Sequence, residues 1–374
     1  MKKVTRLALL IPGGIALVAG SIGALALLGV LSFDGERLAA AHGILMTLGF
    51  VGTVISLERA VALGRVWALA SPALLGLGGL ALLTPADPRV GGALLTAGAA
   101  TLLAVYAALW RRQESPELAT QVLGAALAAA AALLWTAGAP VSTVLPWLAG
   151  FVLLTIAGER AELARLENPG IGARGLLASG IVCAGVIAAT VAGDLGTALL
   201  GVAVLVLCTV LVTGDVARRM VRASGLPRFA AAAMLAGYAW MAVAGAVWLA
   251  GGIPDGAAYD AVIHAVFLGF TMSMIMAHAP IILPAVLRVA LPYRRIMYVP
   301  LVLLHASLAL RLLAGDAYGV EAALTWGGVL NVAAVLGFAA TAVGSVVVAA
   351  RDARRVRRAQ PAPIVDERLV EVAP

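Results

Sequence analysis

The stretch AHGILMTLGFVGTVISLERA (residues 41–60) is a long apolar run with a histidine at its start and a Glu-Arg pair at its end. Similar runs of eighteen or more residues recur along the 374-residue chain, in which 62% of the residues are hydrophobic and 12% are charged. Runs of this length are typical of transmembrane helices, and the short alternating strands of a membrane barrel are not seen. The sequence therefore predicts an all-α, polytopic membrane protein.

The apolar runs predict twelve transmembrane helices joined by short loops. They cover residues 7–31, 38–58, 67–84, 90–110, 118–137, 141–158, 174–193, 196–214, 229–251, 259–280, 297–314 and 319–350. The first run, about 25 residues long, exceeds the roughly 7–15 residues of a signal-peptide core, so we expect it to be a retained span. Residues 1–350 then form one membrane domain. The basic, proline-containing residues 351–374 are expected to be a disordered cytoplasmic tail.

The basic residues between the spans predict the orientation. With the N-terminus in the cytoplasm, only Arg37, Arg89 and Arg311 of the 26 Lys and Arg residues fall outside cytoplasmic segments. Such an excess follows the positive-inside rule. We therefore expect both termini in the cytoplasm and the chain in the inner membrane of a bacterial or archaeal cell. The net charge of +7 is therefore explained by basic residues in the cytoplasmic loops. We expect membrane lipid as a partner of the protein and no nucleic acid.

Three segments of the chain align without gaps: LGFVGTVISLERA (48–60), AGFVLLTIAGERA (149–161) and LGFTMSMIMAHAP (268–280). They lie in the second, sixth and tenth predicted spans, which indicates three pseudo-repeated units of four helices, at about residues 1–112, 113–222 and 223–350. Equivalent helices of repeated units pack around a shared axis, so these three spans are expected at the centre. The alternative interpretation is ordinary packing of small residues between helices.

The four histidines, His42, His264, His278 and His305, all lie within predicted spans. Ionisable residues there are rare and face the bundle interior, so each is a candidate ligand, with a hydrogen-bonded structural histidine as the alternative. His42 and His264 lie at matching depth, roughly 6–8 Å below the outer boundary at 1.5 Å per residue. Two neutral imidazoles so placed, on equivalent helices, predict the two axial ligands of one haem iron.

The other two histidines leave two interpretations open. His305 lies near mid-membrane and His278 nearer the cytoplasm, and a second metal or haem site would use His305, with or without His278. A proton relay or a capping role is the other interpretation. Gly43 follows the predicted ligand His42, and Gly269 lies in the aligned segment after His264. Both glycines are expected to leave space for a flat macrocycle.

Two Glu-Arg pairs bear on the choice of function. Glu58–Arg59 and Glu159–Arg160 are expected to be interfacial ion pairs that orient helix ends. In the alternative function, a twelve-span secondary transporter of a small solute, Glu58 or Glu159 would couple transport to protons. Transporters are usually built from two related halves, whereas this repeat divides the chain in three. A third hypothesis is a scaffold or assembly factor for a respiratory complex.

Twelve spans in three arcs, with the histidine segment AHGILM (41–46) in the second span and a histidine in the tenth, resemble subunit I of the haem–copper oxidase superfamily. That resemblance implies a low-spin haem held by the second and tenth helices. The predicted sixth and seventh spans lack that family's copper-ligand histidines, so copper and oxygen reduction are not expected.

The stretch IHAVFLGFTMSMIMAHAPIILPAVLRVALP (263–292) is similar to the NnrS family of haem-containing bacterial membrane proteins linked to nitric-oxide metabolism. This resemblance implies haem b, with His42 and His264 at ligand positions and His278 at a later polar position. It also implies a role in nitric-oxide metabolism or electron transfer, with respiratory or denitrification components as partners. Turnover needs an open iron position, which two axial histidines would deny, so the sequence leaves open whether the protein is an enzyme.

Overall fold

The computed structural model describes residues 3–31 and 35–359, and in that part of the chain it is helical, with no strand. The twelve long helices are α1 Lys3–Leu27, α2 Glu36–Leu63, α3 Val66–Leu82, α4 Pro88–Trp110, α5 Pro116–Thr136, α6 Val141–Ala164, α7 Ile171–Val191, α8 Gly193–Gly214, α9 Leu226–Gly251, α10 Gly256–Leu287, α11 Arg295–Ala317 and α12 Glu321–Ala359.

Eleven helices in the described ranges are long and apolar enough to cross a membrane. This architecture is that of a polytopic helical membrane protein, as predicted. The predicted third span corresponds to α3, a shorter apolar helix, so the finer prediction of twelve crossings depends on this helix. At the other end of the chain, α12 continues to Ala359, past the predicted start of the tail at residue 351. The remainder of that tail, 360–374, lies outside the described residues.

Local signals in the sequence set the ends of several helices. The side chains of Asp87 and Ser115 cap the first turns of α4 and α5 by accepting hydrogen bonds from backbone N–H groups, and a proline follows each cap. Helix α2 ends at Gly64, whose φ of 69° lies in the left-handed region that glycine adopts without strain. Most junctions are short, so consecutive helices are neighbours in the fold.

Consecutive helices pack against each other around a ring, and α12 closes it by contacting α1. Helices α2, α6 and α10 are displaced towards the middle, where α10 contacts both of the others. They are also the most buried candidate spans, with 56%, 72% and 67% of their apolar windows buried, against 28–50% for the others. The three helices that carry the aligned segments therefore form the centre of the bundle.

Helices α2 and α6 run in the same direction. At one end, which we call the His42 end, a Cβ on Gly43 of α2 would lie 3.7 Å from Val141 at the start of α6. At the opposite end, the Glu58 end, Arg59 of α2 forms an ion pair with Glu159 of α6.

The glycines of the aligned segments make close helix contacts. A Cβ on Gly49 would lie 3.1 Å from Ala16 of α1, one on Gly150 would meet Leu127 of α5, and one on Gly269 would overlap Trp240 of α9. In each case the neighbour is the first helix of the same predicted unit. The space beside Gly269 is therefore occupied by Trp240, and the expectation that Gly269 leaves space for a macrocycle is wrong.

Candidate functional site

A cavity lies between the central helices at the His42 end, and both His42 and His264 line it. Its volume is about 110 Å³. The walls are mainly aliphatic, aromatic and methionine side chains, contributed by α1, α2, α6, α10 and α12, such as Met46, Leu148 and Phe267.

His42 is held by the first helix. Its Nδ1 donates a hydrogen bond to the backbone oxygen of Gly20 in α1, over 2.7 Å. A neutral imidazole has one N–H, so this bond places the lone pair on Nε2. Nε2 has no hydrogen-bond partner among residues 3–31 and 35–359, and it is the ring atom left for a ligand.

His264 is held by a carboxylate and an arginine. Its Nδ1 lies 2.9 Å from the backbone oxygen of Asp260 and 3.2 Å from the carboxylate of the same residue. Arg311 of α11 donates to both oxygens of that carboxylate, at 2.7 and 2.8 Å. Metal-ligating histidines usually donate their second N–H to a carbonyl or carboxylate in this way, which fixes the ring and raises its basicity. Here too Nε2 has no hydrogen-bond partner among the described residues.

Both central helices that supply these histidines widen into π-helix. The π-helical stretches are Leu45–Gly52 in α2 and His264–Met272 in α10, and each contains the Gly-Phe pair of its aligned segment. Helix α6 has Pro146 near its start and remains α-helical. Stretches of π-helix occur frequently at functional sites, and these two lie beside the cavity.

The other two histidines lie outside this cavity. His278 donates from Nδ1 to the backbone oxygen of Met274 and accepts at Nε2 from Arg160, at 2.7 and 3.0 Å. His305 accepts from the indole N–H of Trp240 at 3.0 Å, and its Nε2 lies 3.4 Å from the hydroxyl of Ser273. Both rings thus have partners at both nitrogens, and the structure does not bring them together as one site. The described residues contain no group of three or more His, Cys, Asp or Glu suited to a metal ion.

The Glu58 end contains two networks. Arg59 forms ion pairs with Glu58 and, at 3.6 Å, with Glu159. Arg160 does not pair with Glu159 as expected, because it makes a bidentate ion pair with Asp215 at 2.7 and 2.8 Å. The expected Glu159–Arg160 pair is therefore wrong, and the Glu58–Arg59 pair is present.

Asp215, in the loop after α8, completes the second network. It also accepts from the hydroxyl of Tyr238 at 2.5 Å and from the backbone N–H of Ala217 at 2.8 Å. Burial by itself raises the pKa of Asp215, but the hydrogen bonds and the charge of Arg160 outweigh burial and hold the pKa below its usual value. Through Arg160 this network connects α6 to α9 and to His278 of α10.

Residues 6–347 match the family model described as "Domain of unknown function (DUF8744)". The chain belongs to this family. No protein in the curated set matches the chain. The match covers all four histidines and both networks, so the cavity and the Glu58 end lie within the part of the chain that the DUF8744 family model describes.

Within this DUF8744 chain, sequence reasoning missed Asp260 and Arg311. Arg311 was expected outside the cytoplasmic segments as an orientation signal, yet it is buried and paired with the carboxylate that holds His264. Both residues are charged and lie within predicted spans, which by default marks a functional site with a partner. Pairing the intramembrane charges of opposite sign would have identified them.

Proposed function

We propose that this chain is a haem-b-binding integral membrane protein in which His42 and His264 are the two axial ligands. The observation that carries the proposal is that both rings line one cavity, each with Nδ1 held by a backbone oxygen and Nε2 free. Neutral imidazole nitrogen suits iron. The residues present fit the group, because an apolar cavity with few convergent polar groups is typical of cofactor sites.

A haem held by His42 and His264 would supply one-electron transfer, since two histidine ligands would leave no open position on the iron. The protein's own residues orient the ligands: Gly20 holds His42, and Asp260 holds His264 while Arg311 balances its charge. We place this activity in nitric-oxide metabolism or electron transfer, with respiratory or denitrification components as partners. The NnrS-like resemblance supports that placement, and the absence of copper-ligand histidines in α6 and α7 argues against oxygen reduction.

The finer architecture is part of the same proposal. Twelve crossings in three four-helix units, with both termini in the cytoplasm of a bacterial or archaeal cell, put the haem near the outer surface. Two observations support the three units. Helices α2, α6 and α10 lie at the centre, and the glycine of each aligned segment contacts the first helix of its predicted unit. The skewed distribution of Lys and Arg supports the orientation.

The test is a reduced-minus-oxidised difference spectrum of the purified full chain, with the haem-to-protein ratio measured in parallel. We expect a six-coordinate b-type spectrum in the wild type and its loss in His42→Ala and in His264→Ala. His305→Ala is the matched control, because His305 is an intramembrane histidine outside the cavity, and it should retain haem. Size-exclusion profiles identify any variant that fails to fold.

Two results would contradict the proposal. An unchanged spectrum in both single variants would exclude this pair as ligands. A wild-type protein without a Soret band after expression with sufficient haem would exclude the cofactor and favour the alternative, a secondary transporter of a small solute. In that case solute uptake into proteoliposomes would be measured.

A further inference from the structure

A buried group of polar side chains lies at the Glu58 end, away from the candidate haem cavity. One guanidinium, that of Arg59 in α2, lies between the carboxylates of Glu58 and Glu159. Its contact with Glu58 is direct, whereas Glu159 of α6 is 3.6 Å away. Arg59 also donates to the side-chain oxygen of Gln121 in α5, over 3.2 Å. Three helices of two predicted units thus meet at this guanidinium.

The charges of this group do not balance. Glu58 and Glu159 together carry two negative charges when ionised, and Arg59 supplies one positive charge. The next charges on α6 are Glu162 and Arg160, of opposite sign, and Arg160 is already engaged by Asp215. The side chain of Glu159 is 16% exposed and accepts no hydrogen bond from the described residues. Ionising a second carboxylate in such surroundings is unfavourable.

The same group contains buried donors without a partner among the described residues, and one of them is on the guanidinium itself. The hydroxyl of Tyr106 in α4, Nε2 of Gln121 and Nε of Arg59 are buried, and none has a hydrogen-bond partner among the described residues. Tyr106 and Gln121 are both 0% exposed. Leaving buried donors unpaired is costly, and buried water normally satisfies such groups with about three hydrogen bonds each. These donors are therefore an observation, independent of the carboxylates, that indicates water in this group.

We propose that Glu58 and Glu159 form a hydrated proton-exchange site in which the two carboxylates together hold one proton at neutral pH. Glu159 carries it, because it is the carboxylate farther from Arg59 and the one without a hydrogen bond. The proton comes from water at the Glu58 end: a hydronium ion protonates the carboxylate and leaves as water, and the reverse step returns it. The ligand of this site is a proton, and the site does not depend on the presence of haem.

The test uses the full chain in lipid nanodiscs, treated with dicyclohexylcarbodiimide, which reacts with protonated carboxyl groups. Peptide mass spectrometry measures the labelling rate of each carboxyl as a function of pH. Glu162, exposed on the same helix, is the matched control. We expect Glu159 to be labelled roughly 500-fold faster than Glu162 at neutral pH, since the reagent follows the protonated fraction and an unperturbed glutamate is almost wholly ionised there. The labelling of Glu159 should fall only in alkaline buffer.

Two variants sharpen the result. Glu58→Gln removes the competing charge, so Glu159 pairs with Arg59, loses its proton and is labelled as slowly as Glu162. Glu162→Gln should leave the labelling of Glu159 unchanged. If Glu58→Gln does not fold, the wild-type pH profile alone decides. Labelling of Glu159 no faster than that of Glu162 at neutral pH would overturn the proposal.

Discussion

The two ends of the central helices carry histidines in opposite states of hydrogen bonding. At the His42 end, His42 and His264 each use Nδ1 and leave Nε2 free beside an apolar cavity. At the Glu58 end, His278 uses both nitrogens, and the guanidinium of Arg160 is held by Asp215. A histidine with two partners holds helices together, whereas one with a free lone pair can bind an added group.

This difference teaches that residue type and depth do not assign a role to an intramembrane histidine. All four histidines satisfy the same sequence criterion, and their neighbours separate them. We therefore expect substitutions in the network of Arg160, Asp215 and His278 to change mainly stability, and substitutions around the cavity to change mainly ligand binding. The predictions below run from the largest expected effect to the smallest.

Arg160→Ala should destabilise the protein most. It leaves the carboxylate of Asp215, whose side chain is 1% exposed, without its ion-pair partner, and breaking a buried pair costs about 3–5 kcal/mol. Arg165→Ala, an exposed position at the end of the same helix, is the control and should change stability by no more than about 0.5 kcal/mol. Unfolding in mixed detergent measures the stability of both variants. Equal stabilities of Arg160→Ala and Arg165→Ala would show that the Arg160–Asp215 pair does not stabilise the fold.

Two glycine substitutions separate a helix packing contact from the cavity wall. Gly269→Val would overlap Trp240 and should cost about 1–3 kcal/mol through overpacking. Gly43→Val meets only Val141 at ordinary contact distance and narrows the cavity, so it should lower haem content at unchanged stability. Thermal unfolding and the haem-to-protein ratio of the same samples test this. A Gly43→Val protein with full haem content would show that the cavity wall at this residue does not touch the cofactor.

Asp260→Asn should weaken haem binding by about 10- to 100-fold, because the carboxylate beside Nδ1 fixes the His264 ring and raises its basicity. The midpoint potential should rise as well, since a less basic ligand stabilises the ferric state less. Asp255→Asn, exposed near the start of the same helix, is the control. Haem titration and potentiometry are the measurements. If Asp260→Asn behaves like Asp255→Asn, the carboxylate of Asp260 does not influence the haem ligand.

The smallest effect concerns the pH dependence of stability. The folded-state pKa of Asp215 is held below its usual value, so its contribution to stability is complete above that usual value and is lost as pH falls through the lower, folded-state pKa. The stability difference between wild type and Asp215→Asn should therefore be constant near neutral pH and shrink in strong acid. A difference that already shrinks near neutral pH would contradict the assigned direction.

The helical membrane class and the positions of the helices were predictable, because long apolar runs leave the backbone no other way to satisfy its polar groups in lipid. Placing α2, α6 and α10 at the centre was predictable from the Gly-Phe segments. The partners of Arg160 and His305 were not, since Asp215 and Trp240 are distant in sequence and show no spacing signal. Gly269 was misassigned for the same reason: the residue opposite a glycine depends on helix rotation, which the alignment does not specify.

By itself, the sequence determined where the chain is helical, which three helices carry the aligned segments and which four histidines lie within spans, because these depend on local composition and period. The tertiary structure alone decided which histidines have a free nitrogen and which arginine binds which acid. Those outcomes depend on packing between helices far apart in the chain. A small shift of one helix against another decides whether a histidine nitrogen has a hydrogen-bond partner or is left free for a ligand.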